Sequence, residues 1–379
     1  MDVAIVGVGL HPFGRFPTPA QDMATTAIRA ALTDTGVQWS DIDFAVGGSR
    51  DGGHADALVQ DLGLTGTPFM NVYNGCATGG SALLSGANAI ASGMADLVLV
   101  IGFDKHERGA FATNPAEYGI GEWFGEMGMM VTTQFFGMKI QRYLDQYDLD
   151  PRLLAELSAK ALRNGALNPN AWRRHALSVD EIADAEMVND PLTKYMFCSP
   201  SEGAASLVLA SPAKARELRD DPVWLRAVEF RTRKYGTFEV FSPSLAVEGS
   251  PSATEFAAKA AFESAGVGPD DIDVAQVQDT EAGAELMHLA ETGLCEHGQQ
   301  SDLIMSGALE IDGRLPVNTD GGCIANGEPI GASGLRQVIE CTLQLQGRAD
   351  GRQVPDNPRT AFTQVYGAPG LSTCTVLTR

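Results

Sequence analysis

The chain has 379 residues, 44% of them apolar and 20% charged, enough for one large α/β unit or two to three domains. Its 27 Lys and Arg against 48 Asp and Glu leave a net charge of −21. Such a balance excludes a general nucleic-acid binder and a protein drawn to anionic membranes, because both need positive fields; an anionic small ligand needs only a local basic patch. The composition also excludes disorder, collagen-like repeats and coiled coils.

In chain order, MDVAIVGVGLHPFGR lacks a basic leader followed by a long apolar stretch and reads as a first β-strand rather than a signal peptide. Apolar strand-like runs follow at 97–103 (LVLVIGF), 205–210 (ASLVLA) and 372–378 (STCTVLT), alternating with helical segments. That alternation, with near-continuous apolar strands, predicts an α/β fold whose sheets are covered on both faces. Between about 104 and 195 the pattern changes. Residues 109–130 (GAFATNPAEYGIGEWFGEMGMM) are rich in Gly, aromatics and Met, and amphipathic helices are predicted over 132–147 and 151–168. This segment reads as an insertion, either a lid or pocket wall for an apolar ligand or a surface helical hairpin. No apolar run reaches the roughly 18 residues of a membrane span. The six cysteines show no CxxC spacing, so neither a disulfide scaffold nor a structural zinc site is expected, and a cytoplasmic setting fits best.

An internal repeat sets the domain organisation. Residues 31–43 (ALTDTGVQWSDID) match 261–273 (AFESAGVGPDDID) at an offset of 230. Each copy follows an Ala-rich helical stretch that would end at its glycine, Gly36 or Gly266, and each precedes a short apolar strand. So long a period implies two similar halves rather than a solenoid. The halves are placed at 1–215 and 220–379, with the 104–195 insertion in the first.

Four segments carry the candidate chemistry. In 71–93 (NVYNGCATGGSALLSGANAIASG), Cys76 sits where a strand gives way to a helix. A helix N-terminus aims unpaired N–H groups at the sulfur, which predicts a lowered thiol pKa and a nucleophile; the alternative is a small core hydrophobe. In 316–338 (PVNTDGGCIANGEPIGASGLRQV), Asn318 opens a tight polar turn, and Glu328 stands among glycines that suggest close backbone approach. Glu328 is either a base of raised pKa or a helix cap. In 362–379, Tyr366 precedes a Gly-Ala-Pro-Gly turn and is either a proton donor or a packed rim residue. In 276–295, Gln278, Asp279 and Glu281 lie at a strand-to-helix junction, with Glu285 and His288 beyond; their spacing suits helix-capping acids better than metal ligands, so no metal is expected.

In order and spacing, AIVGVG, NGCATGG, CSPSEGAASLVL, GRLPVNTDGG and GEPIGASG resemble the thiolase superfamily, specifically its sterol-carrier-type and lipid-transfer-protein-like members. The resemblance runs nearly end to end. It implies duplicated βαβαβαββ halves in a five-layer α-β-α-β-α arrangement, with Cys76 as the acyl-carrying nucleophile where the halves meet. It further implies coenzyme A as substrate or acyl carrier, Glu328, Tyr366 and Asp279 as catalytic partners, and Asn318, Gly331, Ser333, Gly367 and Arg233 as substrate-binding positions. A homodimer and a small zinc-ribbon/OB-fold acyl-CoA-binding partner are implied as well.

The chain departs from the family where imidazole is usual. Glu328 replaces the histidine of GHP-x-G-x-S-G, Gln278-Asp279-Thr280-Glu281 replaces a His-Asp or Asn-Glu strand end, and Tyr366 stands in the loop that often carries a second cysteine or a histidine. Three activities remain open: thiolysis of a β-oxoacyl-CoA, retro-aldol cleavage of a β-hydroxyacyl-CoA such as a sterol side chain, and acyl-CoA or lipid carriage without catalysis. Arg231-Thr232-Arg233-Lys234 and Trp172-Arg173-Arg174 are candidates for CoA phosphates, each read singly as a solvated face.

Overall fold

The two copies of the sequence repeat adopt the same local structure. Helix Ala20–Thr35 ends at Gly36 with φ 80°, and helix Ala253–Ala265 ends at Gly266 with φ 71°, both left-handed caps that glycine adopts without penalty. One turn of 3₁₀ helix follows each, Trp39–Asp41 and Pro269–Asp271. The last acid of each copy then performs the same task. The Asp43 carboxylate accepts the Asp96 and Leu97 N–H groups at 2.9 Å, and the Asp273 carboxylate accepts those of Arg359 and Thr360 at 2.7 and 3.0 Å. In both halves that acid anchors the start of the neighbouring strand.

The computed structural model describes residues 1–239, 246–247 and 249–379. Its strands are β1 (Val3–Gly14), β2 (Phe44–Gly48), β3 (Phe69–Asn71), β4 (Leu97–Lys105), β5 (Met187–Asn189), β6 (Leu192–Thr193), β7 (Glu202–Ala210), β8 (Val223–Thr232), β9 (Val274–Val277), β10 (Thr360–Gly367) and β11 (Leu371–Thr378). Among the described residues, all but the β5–β6 hairpin join one nine-stranded sheet, ordered β3-β2-β4-β7-β1-β8-β11-β10-β9. The order mirrors itself about β1 and β8, which pair antiparallel from Val3–Ile5 to Val223–Leu225. The position of β3 is taken in the second half by Val317, which bridges Ala275 in parallel.

Helices Thr78–Ala91 and Ser333–Leu345 pack on each other and on strands of both halves, forming the middle layer. Helix Ala20–Thr35 covers the outer face of β1 and β7, and helix Ala253–Ala265 covers β8 and β11. The result is the α-β-α-β-α arrangement, and burial on both faces explains why all of 97–103 is apolar and buried. The insertion supplies helices Thr132–Tyr147 and Arg152–Leu167, which join helix Ala282–Glu291 in a core cluster of their own. There Lys160 pairs with the buried Glu285.

The middle layer meets the first half with no room to spare. A Cβ on Gly102 would lie 1.9 Å from the Gly331 carbonyl oxygen. Gly102→Ala should therefore lower stability by about 1–3 kcal/mol, read as a reduced denaturant midpoint at unchanged m-value. Gly351→Ala, whose added Cβ meets nothing within 4 Å, is the control and should stay within about 0.5 kcal/mol of the parent.

Candidate active site

The cysteine is presented by a turn between β3 and the buried helix Thr78–Ala91. Gly75, at φ 56°, turns the chain, and the Thr78 hydroxyl donates to the Gly75 carbonyl at 2.6 Å and accepts from the Asn74 N–H at 2.9 Å. Gly367 packs against this turn; a Cβ there would lie 2.8 Å from the Asn74 carbonyl oxygen. Cys76 thus ends half-buried in the wall of a cavity of about 280 Å³.

Glu328 comes from the opposite half. Its N–H donates to the Ser199 carbonyl at 2.9 Å, and the following residues are held by the first half. The Gly331 N–H donates to Asp104 at 2.8 Å, and the Ile330 N–H donates to His106 Nε2 at 3.1 Å. That bond makes Nε2 the acceptor, so Nδ1–H is the donor to Asp51 at 2.6 Å. Asp104 is fully buried and also accepts the N–H groups of Arg50, Asp51 and Gly52. Glu328 is not a helix cap. Its buried carboxylate accepts the Gln278 side-chain amide at 3.2 Å and interacts with Cys76, Ser333 and Cys323, while Oε2 has no hydrogen-bond partner of ordinary geometry.

The electrostatics overturn the expected lowering of the thiol pKa. Burial, then the adjacent Glu328 carboxylate, push Cys76 well above the ordinary thiol range, and Arg50 offsets this only in part. Burial likewise raises Glu328 above the usual carboxylate range. The resting pair is a protonated thiol beside a desolvated carboxylate.

The other expected site residues are mostly engaged with their own neighbours. Asp279 accepts the N–H groups of Cys323 and Ile324 at 2.5 and 3.2 Å, at the start of the short helix Gly322–Asn326. Tyr366 is buried with its phenol turned to Glu239, to which it donates at 2.6 Å, and Lys139 lies 4.5 Å from its ring centre. Asn318, at φ 55°, accepts the Val277 N–H at 3.0 Å and donates to Glu285 at 3.1 Å. Ser333 donates back to the Pro329 carbonyl at 3.2 Å, bracing the glutamate loop. Arg233 donates its backbone N–H to Gly370 at 2.8 Å and does not line the cavity. Arg173, read as part of a solvated face, instead braces the cavity wall, donating to the carbonyls of Phe197 and Ile324 at 2.8 and 3.0 Å and to Ser199 Oγ at 2.6 Å.

Several residues of the site carried no sequence signal strong enough to single them out. Arg50, Lys194, Tyr73, Tyr118 and Cys198 all line the cavity, and His106 holds the glutamate loop. The insertion forms one wall through Phe111, Thr132 and Phe136, with Phe197 and Val188 completing an apolar lining. Among the described residues, no helix is long and apolar enough to cross a membrane.

The site thus brings together a thiol and a carboxylate from two duplicated halves. Family models agree: residues 3–212 match "Thiolase, N-terminal domain" and 246–379 match "Thiolase C-terminal domain-like". The chain belongs to the thiolase family. It is 33% identical to the acetyl-CoA acetyltransferase of Methanothermobacter thermautotrophicus, covering 97% of both chains. It is also 32% identical to sterol carrier protein 2 of Oryctolagus cuniculus, over 99% of this chain and 71% of that protein. A solved Ltp2-ChsH2(DUF35) aldolase superposes with a TM-score of 0.88 at 23% identity, covering 100% of this chain and 97% of that one, a likeness of fold.

Because the Glu328 carboxylate raises the thiol pKa, Glu328→Gln should lower it. Alkylation of Cys76 by iodoacetamide, followed by peptide mass spectrometry, should rise with pH only beyond the ordinary thiol pKa of about 8.5 in the parent protein. In the variant the same rise should occur at lower pH.

Proposed function

We propose that the protein cleaves, or in reverse forms, a carbon–carbon bond in a bulky β-oxoacyl-CoA through an acyl-Cys76 intermediate. The observation that carries this reading is the Cys76 thiol, in the wall of an apolar cavity, interacting with the Glu328 carboxylate buried beside it. Glu328 takes the thiol proton as the sulfur adds to the β-carbonyl carbon. Collapse of the adduct breaks the Cα–Cβ bond, leaving the acyl group on sulfur and a carbanion on the departing thioester, and Glu328 returns the proton to that carbanion. A CoA thiol then displaces the acyl group and restores Cys76, so coenzyme A is both substrate and acyl acceptor. Desolvation helps Glu328 here, because a carboxylate at its ordinary pKa is a weak base.

Relatives support this class: one is an acetyl-CoA acetyltransferase, and the benzoylsuccinyl-CoA thiolase subunit BbsB of Thauera aromatica is 29% identical over 96% of this chain and 94% of its own. A second reading, retro-aldol cleavage of a β-hydroxyacyl-CoA, is favoured by the protonated resting thiol. There Glu328 would take the hydroxyl proton and no acyl-cysteine would form. Asp279, Asn318 and Ser333 act in either reading by placing the loops, and Gly331 and Gly367 by letting them approach.

A CoA-dependent cleavage assay on β-oxoacyl-CoAs with apolar acyl groups tests the proposal. Cys76→Ala should abolish turnover and the acyl-enzyme trapped by acid quench. Glu328→Gln should reduce kcat by about 10²–10⁴-fold, and a change below about threefold rejects it as the base. Cleavage of a β-hydroxyacyl-CoA to a ketone or aldehyde without added CoA, surviving Cys76→Ala, would establish the retro-aldol route instead.

We also propose a homodimer, supported by β3, which ends the sheet among the described residues and exposes Met70 at 41%. Light scattering should give twice the chain mass, and Met70→Lys should shift the population toward monomer. The similar aldolase is named as a pair, Ltp2-ChsH2(DUF35), which supports a heteromeric partner here, and a zinc-ribbon/OB-fold protein is the kind we propose.

A further inference from the structure

The cavity holds a cation that the proton transfers leave unused. The Arg50 backbone is fixed at the end of β2, where its N–H donates to both oxygens of the buried Asp104 at 3.0 and 3.1 Å. From there the side chain reaches the cavity wall, donating to the Ala112 carbonyl at 3.0 Å and lying 5.8 Å from the Phe111 ring centre. A guanidinium carries five N–H donors, and Arg50 makes no other side-chain hydrogen bond among the described residues. Its nearest carboxylate oxygen, on Asp51, is 3.8 Å away, and the other Asp51 oxygen is committed to His106 at 2.6 Å. Tyr73 and Tyr118 line the same cavity. In a chain of net charge −21, a half-buried guanidinium with spare donors at the wall of an apolar cavity is suited to an anion.

We infer that Arg50, with the Tyr73 phenol, binds a carboxylate carried on the acyl group of the substrate, so that the preferred thioesters have a dicarboxylic acyl chain. This rests on the reading of the cavity as an acyl-CoA site.

Two other roles for Arg50 fit less well. Among the described residues Arg50 makes no hydrogen bond to the Cys76 sulfur, so it does not hold a thiolate directly. The phosphates of CoA lie a full pantetheine arm from the thioester, whereas Arg50 lines the same cavity as Cys76. The apolar side chains Phe111, Phe136 and Phe197 accept the body of the chain, and Arg50 reads its charged end.

The test compares adipyl-CoA with hexanoyl-CoA, thioesters of equal acyl length that differ in one terminal carboxylate, by calorimetric titration of the full-length protein in a Cys76→Ala background, where neither can acylate the sulfur. The parent protein should bind adipyl-CoA at least tenfold more tightly. In Arg50→Gln the ratio of the two affinities should fall to within threefold of unity, and Arg50→Lys, which keeps the charge but loses the two-pronged geometry, should fall between. Turnover of 3-oxoadipyl-CoA and 3-oxohexanoyl-CoA should show the same change in the ratio of kcat/KM values. Equal binding of the two thioesters by the parent, or an unchanged ratio in a folded Arg50→Gln, overturns the inference and leaves the acyl-CoA reading standing. Binding of neither thioester removes the acyl-CoA reading and the inference with it.

Discussion

Everything at the site depends on how the 327–332 loop is clasped. Glu328 can face Cys76 only because Asp104 and His106, on and just beyond β4, capture the N–H groups of Gly331 and Ile330 across the boundary between halves. Both clasping groups are buried and further committed, Asp104 to three successive backbone N–H groups and His106 to Asp51. A buried acceptor that loses its donor costs about 1–3 kcal/mol, so the clasp is hard to release piecemeal. The glycines on either side of the contact let the two backbones touch.

The same clasp bears on the carboxylate that stands where the sequence resemblance led to an expectation of imidazole. A histidine is suited to accept a proton near neutral pH without help. A carboxylate must be dried to do so, and Glu328 is fully buried with an amide from Gln278 as its one conventional donor. Burial that raises the carboxyl pKa also holds the thiol protonated, so the two groups are tuned together.

Much of the architecture was legible in the sequence because its causes are local. The 230-residue repeat exposed the duplication, since Gly36 and Gly266 are required by left-handed caps and Asp43 and Asp273 by strand starts. The apolar runs marked doubly covered strands, and the 3.6-residue period gave the insertion helices Thr132–Tyr147 and Arg152–Leu167 closely. Cys76 and Glu328 stood out through their glycine-rich surroundings. What stayed hidden depends on tertiary placement. No local pattern tells that Tyr366 turns toward Glu239, that Asp279 caps a helix more than forty positions away, or that burial outweighs the helix terminus at Cys76. Arg50 and His106 were overlooked for the same reason: each sits in an ordinary strand-end context and gains meaning only from what lies opposite.

The antiparallel seam between β1 and β8 carries an evolutionary consequence. Neither copy of the ancestral unit holds a reactive pair by itself, since the thiol descends from one and the carboxylate from the other. With both copies in one chain, the pair assembles by folding alone and needs no encounter between separate molecules. A near-symmetric body thereby houses a single asymmetric centre.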